Sequence, residues 1–356
     1  MRRSFALLSL AAALTVAACG GDDSAKKTTP TPEASTDLSA IKAYLLDHTQ
    51  RLSRDVATMK DNAQQYHDLA EQSGFDTKKL LADHQPEVAK LLGAAKKTYV
   101  DANPAYEEME GVVAGVPTLA DYDVIIDAGG DASDPESAVP FSIKTEDGKT
   151  FKQPGNLFFL VESSLYGTES KWSTKGDVDG DGKVGFGEAL PEPRFYLAAM
   201  SEFDKQAKEL DASAKQWKPT EQDALTALVV MTPTMSEYFE AWKNSRFVAG
   251  DKATEKSFVG ASRLQDIADI LGGLKLIYAN VQPKIEEANQ EQAAQTWQSL
   301  TELEAFAARL RDQEAGGKKF TAEDADTLGR RAQDQAEAIA GQITQAAKQL
   351  NIELES

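Results

Sequence analysis

Apolar side chains recur at steps of three and four residues along most of the chain after residue 38. This spacing puts them on one face of an α-helix, because the helix completes a turn in about 3.6 residues. The clearest stripes are Ile41, Leu45, Leu52, Val56, Met59 and Tyr66; Leu264, Ile267, Leu271, Leu274, Tyr278 and Val281; and Leu328, Ala332, Ala336, Ile339, Ile343, Ala346 and Leu350. The pattern predicts an all-α fold of long helices packed into bundles.

Capping signals divide this helical pattern into two parts. Thr321, with Asp324 three residues later, predicts the N-terminus of the last helix. The sequence Lys218-Pro219-Thr220 predicts an earlier helix start. We therefore expect one helical bundle over residues 38–217 and a second over residues 218–356.

Residues 116–193 depart from the helical pattern and predict a long irregular insertion in the first bundle. Its first part mixes Gly, Asp, Pro and Ser with short apolar pieces. The pair Asp147-Gly148 is typical of a tight turn and predicts a small hairpin over residues 141–151. One short helix is expected around Leu157–Tyr166.

Residues 177–188 have the ligand spacing of an EF-hand calcium loop. The expected calcium ligands are the side chains of Asp177, Asp179, Asp181 and Glu188 and the carbonyl of Lys183. Gly182 permits the sharp turn, and Gly185 leaves its coordination position to water. Val184 is expected to pack inward. The alternative interpretation is an acidic, glycine-rich surface turn without a metal.

The surroundings of this loop indicate a structural calcium site. EF-hands that act as sensors occur in pairs, each flanked by helices that open on binding. This chain has one such loop, and Pro191 and Pro193 follow it closely, which delays the next helix. We therefore expect calcium to fix the insertion in place, and we do not expect a switch.

The N-terminus has the features of a bacterial lipoprotein signal. A basic start precedes an apolar run, and Val16-Ala17-Ala18-Cys19 resembles a lipobox. Residues 1–18 are expected to be a signal peptide that is removed, and Cys19 is expected to carry lipid. Residues 19–37 are polar and predict a flexible tether. The alternative is an ordinary secretory signal with an incidental cysteine.

A lipid on Cys19 would hold the protein at the membrane of the bacterial cell envelope, on its periplasmic or extracellular face. Calcium is abundant in such settings, which suits a weak unpaired loop. The chain carries a formal net charge of −19, so a nucleic-acid partner is not expected.

Several further segments resemble those of one protein family. Residues 106–110, Tyr-Glu-Glu-Met-Glu, resemble a family segment Tyr-Glu-x-Ile-Glu, and residues 119–127 resemble the acidic turn that follows it. Residues 237–243 and 262–283 resemble the C-terminal helices of the same family. On these segments the chain resembles the imelysin-like proteins, which are built from helical bundles and include lipoproteins of bacterial iron-uptake systems. The resemblance covers most of residues 38–355. It implies a metal-binding function.

One departure from the family concerns its metal motif, Gly-x-His-x-x-Glu. Phe159 stands where the histidine is expected, three residues before Glu162. A phenyl ring offers no lone pair, so Glu162 loses its helical partner. Glu107 and Glu110 share one helical face and could join Glu162 in a second metal site made of oxygen ligands. The alternative is a solvated acidic helix face.

These observations predict a lipid-anchored metal-binding protein that captures iron or another transition metal, with calcium as a structural cofactor. A metal permease or another envelope protein is the expected partner. The sequence lacks the His-Glu-x-x-His helix, the Gly-x-Ser-x-Gly elbow and the phosphate-binding glycine loop, so no enzyme is expected. The alternatives are a calcium-stabilised scaffold for other envelope proteins and, from the historical family name alone, a metallopeptidase.

Overall fold

The computed structural model describes residues 36–129 and 139–355. The predicted signal peptide, Cys19 and the tether up to residue 35 lie outside the described residues. The chain becomes part of the folded body at its first helix, just before which Leu38 is already buried.

The described chain is predominantly helical, which confirms the predicted all-α fold. Its α-helices are α1 (Ser39–Gln72), α2 (Thr77–Val113), α3 (Ala120–Asp123), α4 (Leu157–Tyr166), α5 (Pro193–Gln216), α6 (Glu221–Met231), α7 (Met235–Asn244), α8 (Arg246–Ala249), α9 (Arg263–Ala315) and α10 (Ala322–Gln349). Short 3-10 turns over Thr232–Thr234 and Gly250–Lys252 separate α6 from α7 and follow α8. Within the described parts of the chain, no helix is both long and apolar enough to cross a membrane.

The long helices pack in two groups that meet at α2 and α9. In the first group α1 lies against α2 and α5, and in the second α10 lies against α6, α7 and α9. Contacts between α2 and α9 join the two groups. The predicted bundle boundary falls in the short connection between α5 and α6, where Thr220 and Asp223 form a capping box.

The apolar stripes predicted from the sequence supply the core of these groups. Every member of the stripes on α1 and α9 is at most 1% exposed. On α10 the central members are buried, whereas Leu328 and Leu350 at the two ends are only partly covered. The predicted capping box of Thr321 and Asp324 is present at the start of α10. Periodicity therefore located the buried faces correctly.

Two of the long helices are interrupted. His84 leaves helical geometry inside α2, with φ of −138°, two residues before Pro86, which lacks the N–H that would continue the hydrogen-bond ladder. Asn289 is extended inside α9, and its side-chain Oδ1 accepts a hydrogen bond from the backbone N–H of Gln292 at 3.0 Å. Asn289 thus caps the second half of α9.

The insertion contains the expected hairpin and additional structure. Strands β1 (Ser142–Lys144) and β2 (Thr150–Lys152) pair antiparallel, with Ile143 opposite Phe151, and this confirms the predicted hairpin. The predicted short helix is α4. The sequence did not predict α3 or the π-helical turn Val124–Ala128 that continues it. Strands β3 (Ser173–Lys175) and β4 (Ala189–Pro191) pair on either side of the proposed calcium loop.

Candidate metal centre

A group of acidic side chains, buried except for the half-buried Asp127, comes from α2, from α3 and its π-helical continuation, and from α9. We call it the acidic cluster; its members are Glu107, Glu110, Asp123, Asp127 and Asp266. Glu107, Glu110 and Asp127 each place one carboxylate oxygen within 4.8 Å of the other two, which is close enough for one cation to bind all three. Glu107 is 0% exposed and Glu110 is 3% exposed, so the alternative of a solvated acidic face is wrong.

The backbone explains how these carboxylates converge. Glu107 and Glu110 lie three residues apart on α2 and therefore share one helix face. Asp127 lies in the π-helical turn that continues α3. Such turns shift the register of the side chains that follow and occur frequently at functional sites. The family-like segment of residues 119–127 noted in the sequence was the available signal for Asp127, which sequence reasoning did not assign to the site.

Neighbouring side chains orient part of the cluster. Asn103 Nδ2 donates a hydrogen bond to Glu107 Oε1 at 2.9 Å, and the Tyr238 hydroxyl donates to Glu110 Oε1 at 2.9 Å. The Tyr106 hydroxyl donates to an oxygen of Asp123 at 2.6 Å. These donors orient the three carboxylates and leave Glu110 Oε2 without a hydrogen-bond partner among the described residues.

Two oxygens of the acidic cluster remain unsatisfied. Among the described residues, neither Glu110 Oε2 nor Asp266 Oδ1 has a hydrogen-bond partner, although both atoms are buried. A buried carboxylate oxygen without a partner is costly, by about 1–3 kcal/mol or more. Such an atom in a native protein indicates a missing ligand or a functional role.

Arg263, the first residue of α9, provides a positive charge beside the cluster. Its Nη1 lies 3.1 Å from Asp266 Oδ2 and 3.5 Å from Glu107 Oε2. The rings of Tyr238 and Phe258 lie 4.3 Å and 4.5 Å from its guanidinium carbon. The guanidinium can balance one charge of the cluster, so further carboxylates must hold either protons or a bound cation.

Burial changes the acidity of these groups. It raises the pKa of Asp266 to about 7, although Arg263 beside it acts in the opposite direction. Burial and then the neighbouring Asp266 raise the pKa of Glu107 well above its ordinary value. In the absence of a cation the cluster therefore retains protons that exposed carboxyl groups would have lost.

Glu162 does not join Glu107 and Glu110. Its Oε2 accepts a hydrogen bond from the backbone N–H of Phe258 at 2.8 Å, and its Oε1 accepts from those of Val259 and Gly260 at 2.9 Å each. Burial raises the pKa of Glu162 to about 7, while the three N–H donors act to lower it. The residue whose carboxylate lies beside those of Glu107 and Glu110 is Asp127, whereas both oxygens of Glu162 are hydrogen-bonded to backbone N–H groups.

The proposed calcium loop is folded around its own acidic side chains. Asp177 accepts hydrogen bonds from the N–H groups of Gly180 and Gly182, at 2.8 Å and 2.9 Å. Glu188 reaches back to accept hydrogen bonds from backbone N–H groups at both ends of the loop. Asp177, Asp179 and Glu188 each place a carboxylate oxygen within 4.8 Å of the others. Asp181 accepts a hydrogen bond from the N–H of Lys183 at 2.8 Å.

One expectation about this loop is wrong. Val184 is 52% exposed and does not pack inward, whereas Val178 near the start of the loop is buried. The loop lies between two strands and attaches to α2, where Lys96 Nζ donates to the carbonyl of Gly187 at 2.6 Å and Gln85 donates to the carbonyl of Asp177 at 3.0 Å.

The sequence matches the model of a known protein family. The sequence model of the family described as imelysin, also labelled peptidase M75, matches residues 50–346. A search of curated proteins found no match. The matched range contains α2, α4 and α9, together with every member of the acidic cluster.

Proposed function

This chain belongs to the imelysin family, and we propose that it captures a metal cation in the acidic cluster. Membership of the family is compatible with a role in iron or other metal uptake outside the cytoplasm. The observation that carries the proposal is Glu110 Oε2, which is buried near Glu107 and Asp127 without a hydrogen-bond partner in the described chain. A bound cation would satisfy this oxygen and balance the neighbouring charges.

The donor set favours a hard cation. Glu107, Glu110 and Asp127 offer carboxylate oxygens, and Phe159 takes the position of the family's histidine. Carboxylate oxygens suit hard ions such as manganese(II), whereas thiolate and thioether ligands suit copper(I) and zinc. Iron(III) or manganese(II) is therefore the proposed cargo.

Burial favours binding over catalysis. Glu107 and Glu110 are nearly closed to solvent, so a peptide chain could not reach them without a large rearrangement. The peptidase label of the family does not identify a nucleophile or a water-activating residue in this chain. The proposed role is therefore capture and release of an ion, without peptide cleavage.

The proposed setting is the bacterial cell envelope. Lipid on Cys19 would anchor the protein to a membrane, with the tether before residue 38 separating the helices from the membrane surface. A metal permease is the proposed recipient of the ion. The support for this setting is the lipobox-like sequence before Cys19 together with membership of the imelysin family.

Calcium is proposed to occupy residues 177–188 as a structural ion, separate from the cargo. The loop already has its acidic side chains hydrogen-bonded to its own backbone N–H groups, so little rearrangement would accompany binding. The loop is flanked by paired strands and contacts α2, so it would hold the insertion against α2.

Equilibrium titration of the full chain with iron(III) and manganese(II), at saturating calcium, tests the metal site. We expect Glu110→Gln to weaken binding of the cargo ion at least about tenfold, since even the partners of metal ligands contribute about 10- to 100-fold. Glu108→Gln is the matched control, because Glu108 is the neighbouring residue on α2 but pairs with His48 and Arg51.

The control variant is expected to bind like the wild type. Equal affinity in Glu110→Gln and the wild type would contradict the assignment of the site. Binding of calcium alone, with no second ion bound at any pH from 5 to 8, would overturn metal capture and favour the scaffold interpretation.

A further inference from the structure

Residues 256–262 form a strap that leads from the turn after α8 to the start of α9. Five hydrogen bonds, one of them from the Lys256 ammonium to Glu169, fasten it to α4 and the segment that follows α4. Three of them are the backbone N–H bonds from Phe258, Val259 and Gly260 to Glu162. The fourth joins the Thr168 hydroxyl to the carbonyl of Lys256 at 2.8 Å.

The strap is held in a conformation that it would not adopt freely. Phe258 has a φ of 54°, in the left-handed region that non-glycine residues occupy rarely. Such a conformation persists when the surroundings impose it. Here three successive N–H groups converge on one buried carboxylate, so Glu162 is the group that imposes it.

The strap reaches the acidic cluster indirectly, because Phe258 of the strap contacts Arg263 and Arg263 contacts Glu107. The ring of Phe258 lies 4.5 Å from the guanidinium carbon of Arg263, which is 6% exposed and contacts Glu107 on another side. The buried carboxylates Glu107 and Glu110 can admit an ion only when some covering part moves. Movement of the strap would uncover Arg263 and then Glu107.

There is room for such a movement. A cavity of about 340 Å³ lies between the strap and the proposed calcium loop. Tyr166 and Gly185–Glu188 line it on one side, and Thr254, Lys256 and Val259 line it on the other. The strap therefore borders a solvent-accessible cleft, and no packed core of described residues blocks it on that side.

We propose that Glu162 is a positioning residue that latches the strap over the metal centre and so sets the rate at which the ion enters and leaves. This inference rests on the proposed function of the acidic cluster. The family motif implies that Glu162 is a metal ligand, and the contacts of Glu162 with the strap assign it a different role. A latch changes entry and exit together, whereas a ligand changes the equilibrium affinity.

Terbium(III), a luminescent hard cation, is the probe for the test. The full chain with Asp179→Asn and Asp181→Asn serves as the background, so that the calcium loop does not bind the probe. Stopped-flow mixing with terbium gives the association rate constant, and mixing of the loaded protein with excess EDTA gives the release rate constant. In Glu162→Gln the amide nitrogen cannot accept hydrogen bonds, so the strap loses at least one fastening.

We expect Glu162→Gln to raise both rate constants at least tenfold while Kd stays within about threefold of the background value. Thr168→Val, which removes the fourth fastening, is expected to raise both rates by a smaller factor. Phe258→Gly keeps the backbone conformation without strain and is expected to accelerate exchange by uncovering Arg263. Glu162→Asp retains the charge, so its two rate constants are expected to lie between those of Glu162→Gln and those of the background.

Ser164→Ala is the matched control, because Ser164 is buried on the same helix but donates to the carbonyl of Leu160 within α4. Its rates are expected to equal those of the background. If Glu162→Gln raises Kd more than tenfold with an unchanged association rate, Glu162 is a ligand and the latch is overturned. Unchanged rates in Glu162→Gln, Thr168→Val and Phe258→Gly overturn the latch alone. If the background protein binds no terbium, the proposed function and the latch both fail.

Discussion

Calcium at a hundredfold excess over its Kd is expected to raise the free energy of unfolding of the full chain by about 3 kcal/mol. Asp177→Ala combined with Glu188→Ala is expected to abolish this gain. The reason is mass action, because calcium binds the folded loop and has little affinity for the unfolded chain. Thermal unfolding followed by circular dichroism, with and without calcium, measures the effect.

The physical basis of this expectation is the arrangement of charge in the loop. Asp177, Asp179 and Glu188 lie close enough together to repel one another, and hydrogen bonds from backbone N–H groups hold them in that arrangement. Hydrogen bonds from Val178, Asp179 and Gly185 to Glu188 already lower the pKa of that carboxyl, with the bond from Gly185 contributing most. The ion would therefore meet a Glu188 carboxylate that is already ionised and oriented.

A matched control separates loss of the ion from loss of negative charge. Asp61→Ala combined with Glu71→Ala removes the same number of exposed acidic side chains from α1. This control variant is expected to keep the full calcium-dependent gain. A calcium-dependent melting temperature that survives in Asp177→Ala/Glu188→Ala would contradict the assignment of the loop.

Local signals in the sequence predicted the helices well because those signals act over short distances. The stripe from Leu264 to Val281 is buried as its spacing predicts, and the capping boxes at Thr220 and Thr321 start helices. The hairpin turn at Asp147-Gly148 depends on two adjacent residues, so the hairpin could be predicted equally well from the sequence. Each of these features is decided within a few residues of the chain.

The acidic cluster could be predicted only in part, because its other members come from distant segments. The sequence predicts that Glu107 and Glu110 share one helix face. The π-helical turn that carries Asp127 has no simple periodic pattern in the sequence. The contacts of Glu162 join residues 96 to 98 positions apart, and no local pattern reports such a pairing. Tyr238 reads as a core aromatic in the sequence, although its hydroxyl also serves Glu110.

The calcium loop, the strap and the acidic cluster form a connected series. The loop forms one wall of the cavity that the strap borders, and Phe186 of the loop stacks on Arg246 at 3.4 Å, on the far side of that cavity. The strap leads into Arg263, which contacts Glu107. A structural ion that fixes the loop therefore also fixes the wall toward which the strap would move.

Glu107→Gln is expected to make the metal-free protein more stable than the wild type above pH 5, and the difference is expected to grow with pH. The pKa of Glu107 is raised well above its ordinary value by burial and by Asp266. The unfolded chain releases this proton near pH 4.5, while the folded protein keeps it. Rising pH therefore favours unfolding of the wild type, by up to about 1.4 kcal/mol per pH unit until the folded-state pKa is reached.

Glutamine resembles the protonated form of Glu107 and can still accept the hydrogen bond from Asn103. The variant and the wild type should therefore have similar stabilities near pH 4 and diverge as the pH rises toward the raised pKa of Glu107. Denaturant unfolding in EDTA across this range measures the difference. A divergence that shrinks with rising pH would contradict the argument.

Glu108→Gln supplies a control of opposite sign from the adjacent position. The hydrogen bond from His48, with Arg51 nearby, lowers the pKa of Glu108, so its stabilising effect is present above the unfolded pKa and is lost as the pH falls. As the pH rises, the free energy of unfolding of the wild type should therefore increase relative to that of Glu108→Gln. It should decrease relative to that of Glu107→Gln. Saturation with iron(III) should remove the growing difference between the wild type and Glu107→Gln. The reason is that a bound cation stabilises the ionised carboxylate that the metal-free core disfavours.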